Sequence, residues 1–238
     1  MVKEVNSIQP VVLRHASWLA VNNVQGCPKQ CKYCFLTPIG QTGVVPQLIC
    51  SPQSAISQLK KSPYYLPNLP VCFYTSTDPF ATPQVEQHFC DIVTEYVYQG
   101  LRNPLCFVTK CKPSQKIEPV MSLLKSNKIP TIAYISYSGL SNDIEIGVNH
   151  KKLKEAFKYF KELDIPIVHY WRPLIPQNTS NQILEEVISY AKDYCNAAVI
   201  TGLKTYESME NQINFWPSVK NNIRTASKAE CIWPRKAL

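Results

Sequence analysis

Six β-rich runs alternate with helical patterns along this 238-residue chain. The alternation makes it an α/β protein and argues for right-handed βαβ units around a parallel sheet, an open (β/α)6 partial barrel of the TIM type. Two further observations narrow the choice. No G-x-G-x-x-G follows the first run, so a dinucleotide-binding sheet lacks its fingerprint. Polar or reactive residues stand where every run ends: Cys27, Ser76-Thr77-Asp78, Thr109-Lys110, Ser136-Tyr137-Ser138, Arg172 and Thr201-Gly202. In a barrel of parallel strands the site lies at those C-terminal ends. Six units are too few for a closed eightfold barrel.

Residues 17–25 read as the first strand, running into a cysteine-rich loop. Ser51-Pro52 offers an N-cap followed by proline at the first helical position, opening a helix to about Lys60. Residues 71–76 are a short second strand that stops at Thr77-Asp78-Pro79. Thr82-Pro83 repeats the cap-and-proline start, and Val85, Phe89, Ile92, Val93 and Tyr96 fall at helical spacing. Strands are expected over 105–109, 131–136, 165–171 and 197–201, and helices over 114–126 and 149–163. Thr179 with Gln182 makes a capping-box pattern ahead of Ile183, Leu184, Val187, Ile188 and Ala191.

Apolar residues make up 45% of the chain and charged residues 18%, the balance of a folded globular protein. Nineteen prolines against seven glycines leave no flexible linker, so residues 1–238 read as one domain. Its core spans about 17–204, and 205–238 form a C-terminal extension. No apolar run reaches the ~18 residues of a membrane helix, and the first ten residues lack an apolar secretory segment. A soluble, cytoplasmic protein with no membrane contact is expected. The net charge of +8 leans towards acidic or phosphorylated partners. Much of it lies in Lys151, Lys152, Lys154, Lys158 and Lys161, which alternate with Leu153, Phe157 and Phe160. That stretch reads as the solvated face of an amphipathic helix rather than a nucleic-acid patch.

Ten cysteines fall short of the ~8–10% that marks a disulfide scaffold. Seven are scattered singly and read mostly as small buried apolar residues. The other three, Cys27, Cys31 and Cys34, stand in a C-x3-C-x2-C spacing. A structural zinc site needs four protein ligands, and no second C-x2-C or H-x3-H pair completes one. The bacterial ferredoxin run is also absent. Three thiolates on a [4Fe–4S] cube leave one iron open, and a small molecule can chelate there. Incidental cysteines or part of a zinc site are the alternative.

The C-x3-C-x-aromatic-C pattern resembles the signature of the radical S-adenosylmethionine (SAM) superfamily, whose usual core is such a partial barrel. The resemblance implies a [4Fe–4S] cluster on Cys27, Cys31 and Cys34, with SAM chelating the open iron through its amino and carboxylate groups. Reductive cleavage would give methionine and a 5′-deoxyadenosyl radical that takes hydrogen from a substrate. Four further stretches, 74–80, 107–110, Ile135-Ser136 and 172–176, resemble the spore-photoproduct-lyase-like branch, and the likeness covers roughly Trp18 to Lys204. By that resemblance Ser76, Thr77 and Asp78 hold the SAM amino group and Lys110 its carboxylate. Ser136 meets ribose or methionine, and Tyr33 packs near the adenine. A carboxylate and hydroxyls suit an ammonium, and a lysine suits a carboxylate. Each also has an ordinary use, as a strand-ending turn, a solvated lysine or a satisfied hydroxyl. Arg172 is either a cofactor-site residue or the partner of a core carboxylate.

DNA-repairing members of that branch place a cysteine on the second strand to quench the product radical. The matching residue here is Tyr74, with Cys72 two residues earlier and therefore on the same strand face. Both are candidate hydrogen donors, and photoproduct repair is in doubt. The type of enzyme, lyase or oxidoreductase, stays open. A nucleic-acid- or nucleotide-modifying or lyase-type repair enzyme is one specific role. A non-catalytic Fe–S or zinc-stabilised binding module is the competing class. Tyr64, Tyr65, Tyr96 and Tyr98 would suit stacking on bases, and a peptide substrate is equally open. Lys29 and Lys32 read first as solvated lysines and second as a dock for an acidic electron donor of flavodoxin or ferredoxin type. The basic tail 211–238, with Trp216, Cys231 and Trp233, either covers the open side of the barrel or contacts substrate.

Overall fold

The structure, a computed structural model, describes residues 7–204, Trp216 and residues 231–232. Its first part runs β1 (Val12–Arg14), β2 (Leu19–Val21), β3 (Val24–Gln25), β4 (Gln30–Cys31), β5 (Gln47–Leu48) and α1 (Pro52–Lys61). Then come β6 (Val71–Phe73), α2 (Pro83–Tyr98), β7 (Leu105–Thr109), α3 (Glu118–Ser126) and β8 (Thr131–Ile135). The last part holds β9 (Glu145–Ile146), α4 (His150–Glu162), β10 (Ile167–Leu174), α5 (Asn181–Tyr194), β11 (Ala197–Lys204) and β12 (Cys231–Ile232).

Eight strands share one sheet in the order β1-β2-β6-β7-β8-β10-β11-β12. The six from β2 to β11 are parallel, one for each expected strand, in sequence order. That is the open partial barrel. Two antiparallel edge strands were not expected: β1, which starts the sheet before residue 17, and β12, which pairs with Leu203 and Lys204. Apart from Trp216 and β12, the C-terminal extension lies outside the described residues, and so do the expectations placed on it.

The helix starts follow the local chemistry. Ser51 and Thr82 cap α1 and α2 by accepting from Ser54 N and Val85 N, with Pro52 and Pro83 supplying no amide that needs a partner. The run 114–126 begins as a 3-10 turn, and α3 starts at Glu118, where Pro119 cannot donate. Thr179 and Gln182 do not form a capping box. Ser180 is the N-cap, accepting from Ile183 N, and Thr179 Oγ1 donates to Pro176 O instead.

Four strands also differ in their boundaries. The first strand breaks at Asn22-Asn23, and β3 turns away to pair with β5. β10 continues through Arg172 to Leu174 with a register shift against β11, and β11 continues to Lys204. Arg172 and Thr201-Gly202 therefore lie within strands rather than at their ends. Finally, β6 stops at Phe73, and Tyr74 takes a left-handed conformation at φ 65°. The alternation that put Cys72 and Tyr74 on one face ends there.

The core lies between the sheet and its helices. Phe80, Phe89, Phe107 and Phe160 are buried ring against ring at centroid distances of 5.2 to 6.2 Å. They join the turn after β6 to α2, β7 and α4. On α4, Leu153, Phe157 and Phe160 are buried while Lys151, Lys152, Lys158 and Lys161 are exposed, as the amphipathic pattern requires. No helix among the described residues is long and apolar enough to cross a membrane.

Phe107→Ala should cost about 3–5 kcal/mol, because the four-ring cluster cannot collapse around the lost volume. Urea unfolding should show this as a lower midpoint with an unchanged slope.

Candidate active site

A cavity of about 270 Å³ opens at the C-terminal ends of the parallel strands. Cys27, Cys31, Tyr33 and Cys34 line it from the loop after β3, Thr77 and Asp78 from the turn after β6, and Thr109, Lys110 and Ser136 from the ends of β7 and β8. Its far half is lined by His15, Trp18, Val108, Tyr170, Arg172, Leu203 and Lys204. Of the residues expected at a site, Cys72 and Ser76 are not in the wall; the other ten are.

The cysteine loop is held on both sides. Cys27 bridges to Thr42, and β4 pairs with β9 so that Cys31 stands opposite Glu145. Gly147 adopts φ 84° where a side chain would lie 3.5 Å from the Lys29 backbone, so the two segments pack closely. Burial raises all three thiols: Cys27 and Cys34 in direction, Cys31 to about 12. Cys34 also feels the other two sulfurs.

Asp78 forms the centre of the wall. Its Oδ1 accepts from Phe80 N at 3.0 Å and Thr109 Oγ1 at 2.8 Å, and its Oδ2 from Lys110 N at 2.7 Å. Lys29 Nζ stands 3.8 Å from Oδ2 and 2.9 Å from Cys111 Sγ. Burial alone would lower the Lys29 ammonium, but Asp78 and the Cys111 and Cys27 sulfurs hold it above the usual lysine range. At 7% exposure Lys29 is a buried ion-pair residue, which overturns both its solvated reading and its docking reading. Lys32 beside it is half-buried.

Thr75 and Ser76 are set by Asn22, whose Oδ1 accepts from Thr75 N at 2.7 Å and Ser76 N at 3.0 Å. Thr77 Oγ1 is buried in the cavity wall with no hydrogen-bond partner. Lys110 Nζ donates to Ser136 O at 2.8 Å and Glu145 Oε1 at 2.7 Å, under the Tyr33 ring at 5.7 Å. Tyr33 OH donates to the same Glu145 oxygen. Arg172 Nη1 donates to Tyr170 OH at 2.8 Å, and no carboxylate pairs with it among the described residues.

The two hydrogen-donor candidates part company. Cys72 is fully buried and pairs with Cys106 across adjacent strands, its thiol raised by burial and that contact. Tyr74 packs its ring against Phe89, and its hydroxyl is raised by burial first and then by Asp91, Cys90 and Cys50. The tyrosines proposed for base stacking lie elsewhere. Tyr96 is core, bonded to Asn103 O, Tyr65 bonds Asn103 Oδ1, and the exposed Tyr64 and Tyr98 are not in the cavity wall.

No family model and no curated protein matches the sequence. Solved structures do. A spore photoproduct lyase variant with a dinucleoside spore photoproduct aligns at TM-score 0.60 and 14% identity, over 83% of this chain and 60% of that one. Streptococcus suis SuiB bound to S-adenosylmethionine aligns at 0.55 and 12%, over 90% and 47%. A radical SAM methyltransferase from Sphaerobacter thermophilus aligns at 0.51 and 13%, over 94% and 69%. The chain has the radical SAM fold. It spans 60% of the length of the spore photoproduct lyase it matches.

Within the radical SAM fold, several wall and support residues carry no signal in the sequence. Asn22, Trp18 and Tyr170 look like ordinary strand residues, and Cys111 like one more scattered cysteine. Glu145 sits between the strand expected over 131–136 and the helix expected over 149–163, in a stretch to which no element was assigned. Only the adjacency of Cys111 to Lys110 was visible in advance.

Asn22→Ala should leave the Thr75 and Ser76 amides without an acceptor, at about 1–3 kcal/mol each when buried. Asn22→Asp keeps both acceptor positions and should recover most of the loss in denaturant unfolding.

Proposed function

We propose that this protein is a radical SAM enzyme that holds a [4Fe–4S] cluster on Cys27, Cys31 and Cys34. The observation that carries the reading is one cavity wall combining those three cysteines with Thr77, Lys110 and Ser136 at the C-terminal ends of parallel strands. The donor set fits. Among the described residues no three His, Cys, Asp or Glu side chains stand close enough to share a single metal ion. In a four-iron cube each thiolate binds a different iron, and three cysteines in one cavity wall suit that donor set. When bound, the reduced cluster supplies the electron that splits SAM into methionine and a 5′-deoxyadenosyl radical, which takes hydrogen from a substrate.

The chain's own residues bind and orient. Iron replaces the proton on each buried thiol, so loading releases protons. The free donor position of the Lys110 ammonium suits the SAM carboxylate, and the orphaned Thr77 hydroxyl suits its amino group. The Tyr33 ring and Ser136 border the remaining space, and the buried aromatic and aliphatic wall keeps water from a reactive radical. The electron donor we assign is a flavodoxin- or ferredoxin-type protein. Anaerobic reconstitution with iron and sulfide, then dithionite and SAM, should yield 5′-deoxyadenosine, and Cys31→Ala should abolish it. A loaded cluster without product would favour a binding module, and zinc in place of iron would overturn the reading.

The far half of the cavity favours an anionic substrate with a flat ring, which supports the nucleotide alternative over a peptide. Arg172 faces it without a carboxylate partner among the described residues, and burial, Lys204 and Arg172 together lower His15. Among the described residues no acid stands in that half of the wall. Trp18 and Tyr170 flank it, each in edge contact with Tyr134 at 5.7 Å. Phosphate-bearing nucleotides should raise the rate of 5′-deoxyadenosine formation above that with the matching nucleosides. Arg172→Gln should erase the difference; equal stimulation by both in the unaltered protein would remove the anion from the reading.

A further inference from the structure

Glu145 lies outside the cavity wall, yet three of the residues assigned to the site converge on it. Its side chain has no exposed surface. One oxygen, Oε1, accepts from Tyr33 OH, from Lys110 Nζ at 2.7 Å and from Ser138 Oγ at 2.8 Å. The other, Oε2, is buried without a hydrogen-bond partner, 3.8 Å from His150 Nδ1. The backbone of the same residue is the cross-strand partner of Cys31, and Ile144 O next to it accepts from Lys32 N at 2.9 Å.

The consequence follows from the nature of lysine. An ammonium on a four-carbon stem has many rotamers and three donors, so it recognises a carboxylate well only when other acceptors hold it in place. Asp78 fixes the Lys110 backbone through its amide. Ser136 O and Glu145 Oε1 take two of the three ammonium donors and leave the third for a ligand. Ser136 O is part of the strand frame, whereas the carboxylate of Glu145 supplies the counter-charge that makes holding a lysine there favourable. The β4–β9 ladder needs only the backbone of residue 145, so clamping the cysteine loop does not explain a buried carboxylate at this place.

We propose that Glu145 is a positioning residue for SAM: it holds the Lys110 ammonium in the geometry that receives the ligand, without touching the ligand itself. This rests on the assignment of Lys110 to the SAM carboxylate.

The test is SAM affinity per assembled cluster, measured by equilibrium dialysis on oxidised, reconstituted protein, where no turnover occurs. Glu145→Gln removes the charge at nearly constant shape. It should weaken SAM binding about tenfold with iron and sulfide content unchanged. Lys110→Met should weaken it at least as much, and the double variant should be no weaker than Lys110→Met alone. Glu145→Asp keeps the charge, is the milder change for folding, and withdraws the carboxylate by one methylene; it should also weaken SAM binding. Additive losses in the double variant would overturn the proposal. So would a Glu145→Asp protein with unaltered affinity, or a Glu145→Gln protein that loses cluster but binds SAM normally per cluster. If Lys110→Met leaves affinity unchanged while Glu145→Gln lowers it, the Lys110 assignment fails and the proposal falls with it, although SAM binding itself stands.

Discussion

A single buried carboxylate, Asp78, ties together the segments from which the cavity is built. It accepts from Phe80 N in its own turn and from Thr109 Oγ1 and Lys110 N at the end of β7, and it faces Lys29 in the cysteine loop. These segments are far apart in the sequence, and the carboxylate adds side-chain links to the backbone pairing of β6 with β7 and of Gly26 N with Ser76 O. The carboxylate is tolerated in the interior because hydrogen bonds and a buried cation satisfy it. Its position is fixed from behind by Phe80, which follows it by two residues and sits in the ring cluster with Phe89, Phe107 and Phe160. The hydrophobic core and the polar site are thus one construction: the rings hold the turn, and the turn holds the loop.

The cavity has two halves of different chemistry. Near the cysteines, each cation has an anionic neighbour, Lys29 with Asp78 and Lys110 with Glu145. In the other half, Arg172 has an aromatic hydroxyl for a partner, and His15 is lowered by burial and by the cations beside it. The first half is organised internally, as suits a resident group of fixed shape. The second gathers Arg172, His15 and Lys204 among the aromatic rings of Trp18 and Tyr170. The charge surplus on the amphipathic helix plays no part in this, because its lysines point to solvent.

Much of the fold was legible because its causes are local. Alternating β-rich runs and helical periods, with serine, threonine and proline at helix starts, are written in consecutive residues, and all six parallel strands appeared where expected. The errors have local causes that were not visible. Asn22 interrupts the first strand because its amide is needed 53 residues away. Thr179 loses the cap to Ser180 because its hydroxyl bonds backward. Lys29 looked like a surface lysine because nothing nearby in sequence announces a buried anion, and Tyr74 looked like a strand residue because only the φ angle shows the strand has ended.

The sequence by itself determined the architecture and the cysteine triad, since periodicity and the spacing of three thiols within eight residues do not depend on distant contacts. Only the tertiary structure decided what surrounds them. It buried Lys29 against Asp78 and Cys111, brought Glu145 opposite Cys31, and sent Cys72 and Tyr74 to different neighbours. It also placed Arg172 and Trp18 in the wall of one cavity. Each of these is a pairing between residues on different strands or loops, and the chain closes such pairs only when the sheet forms.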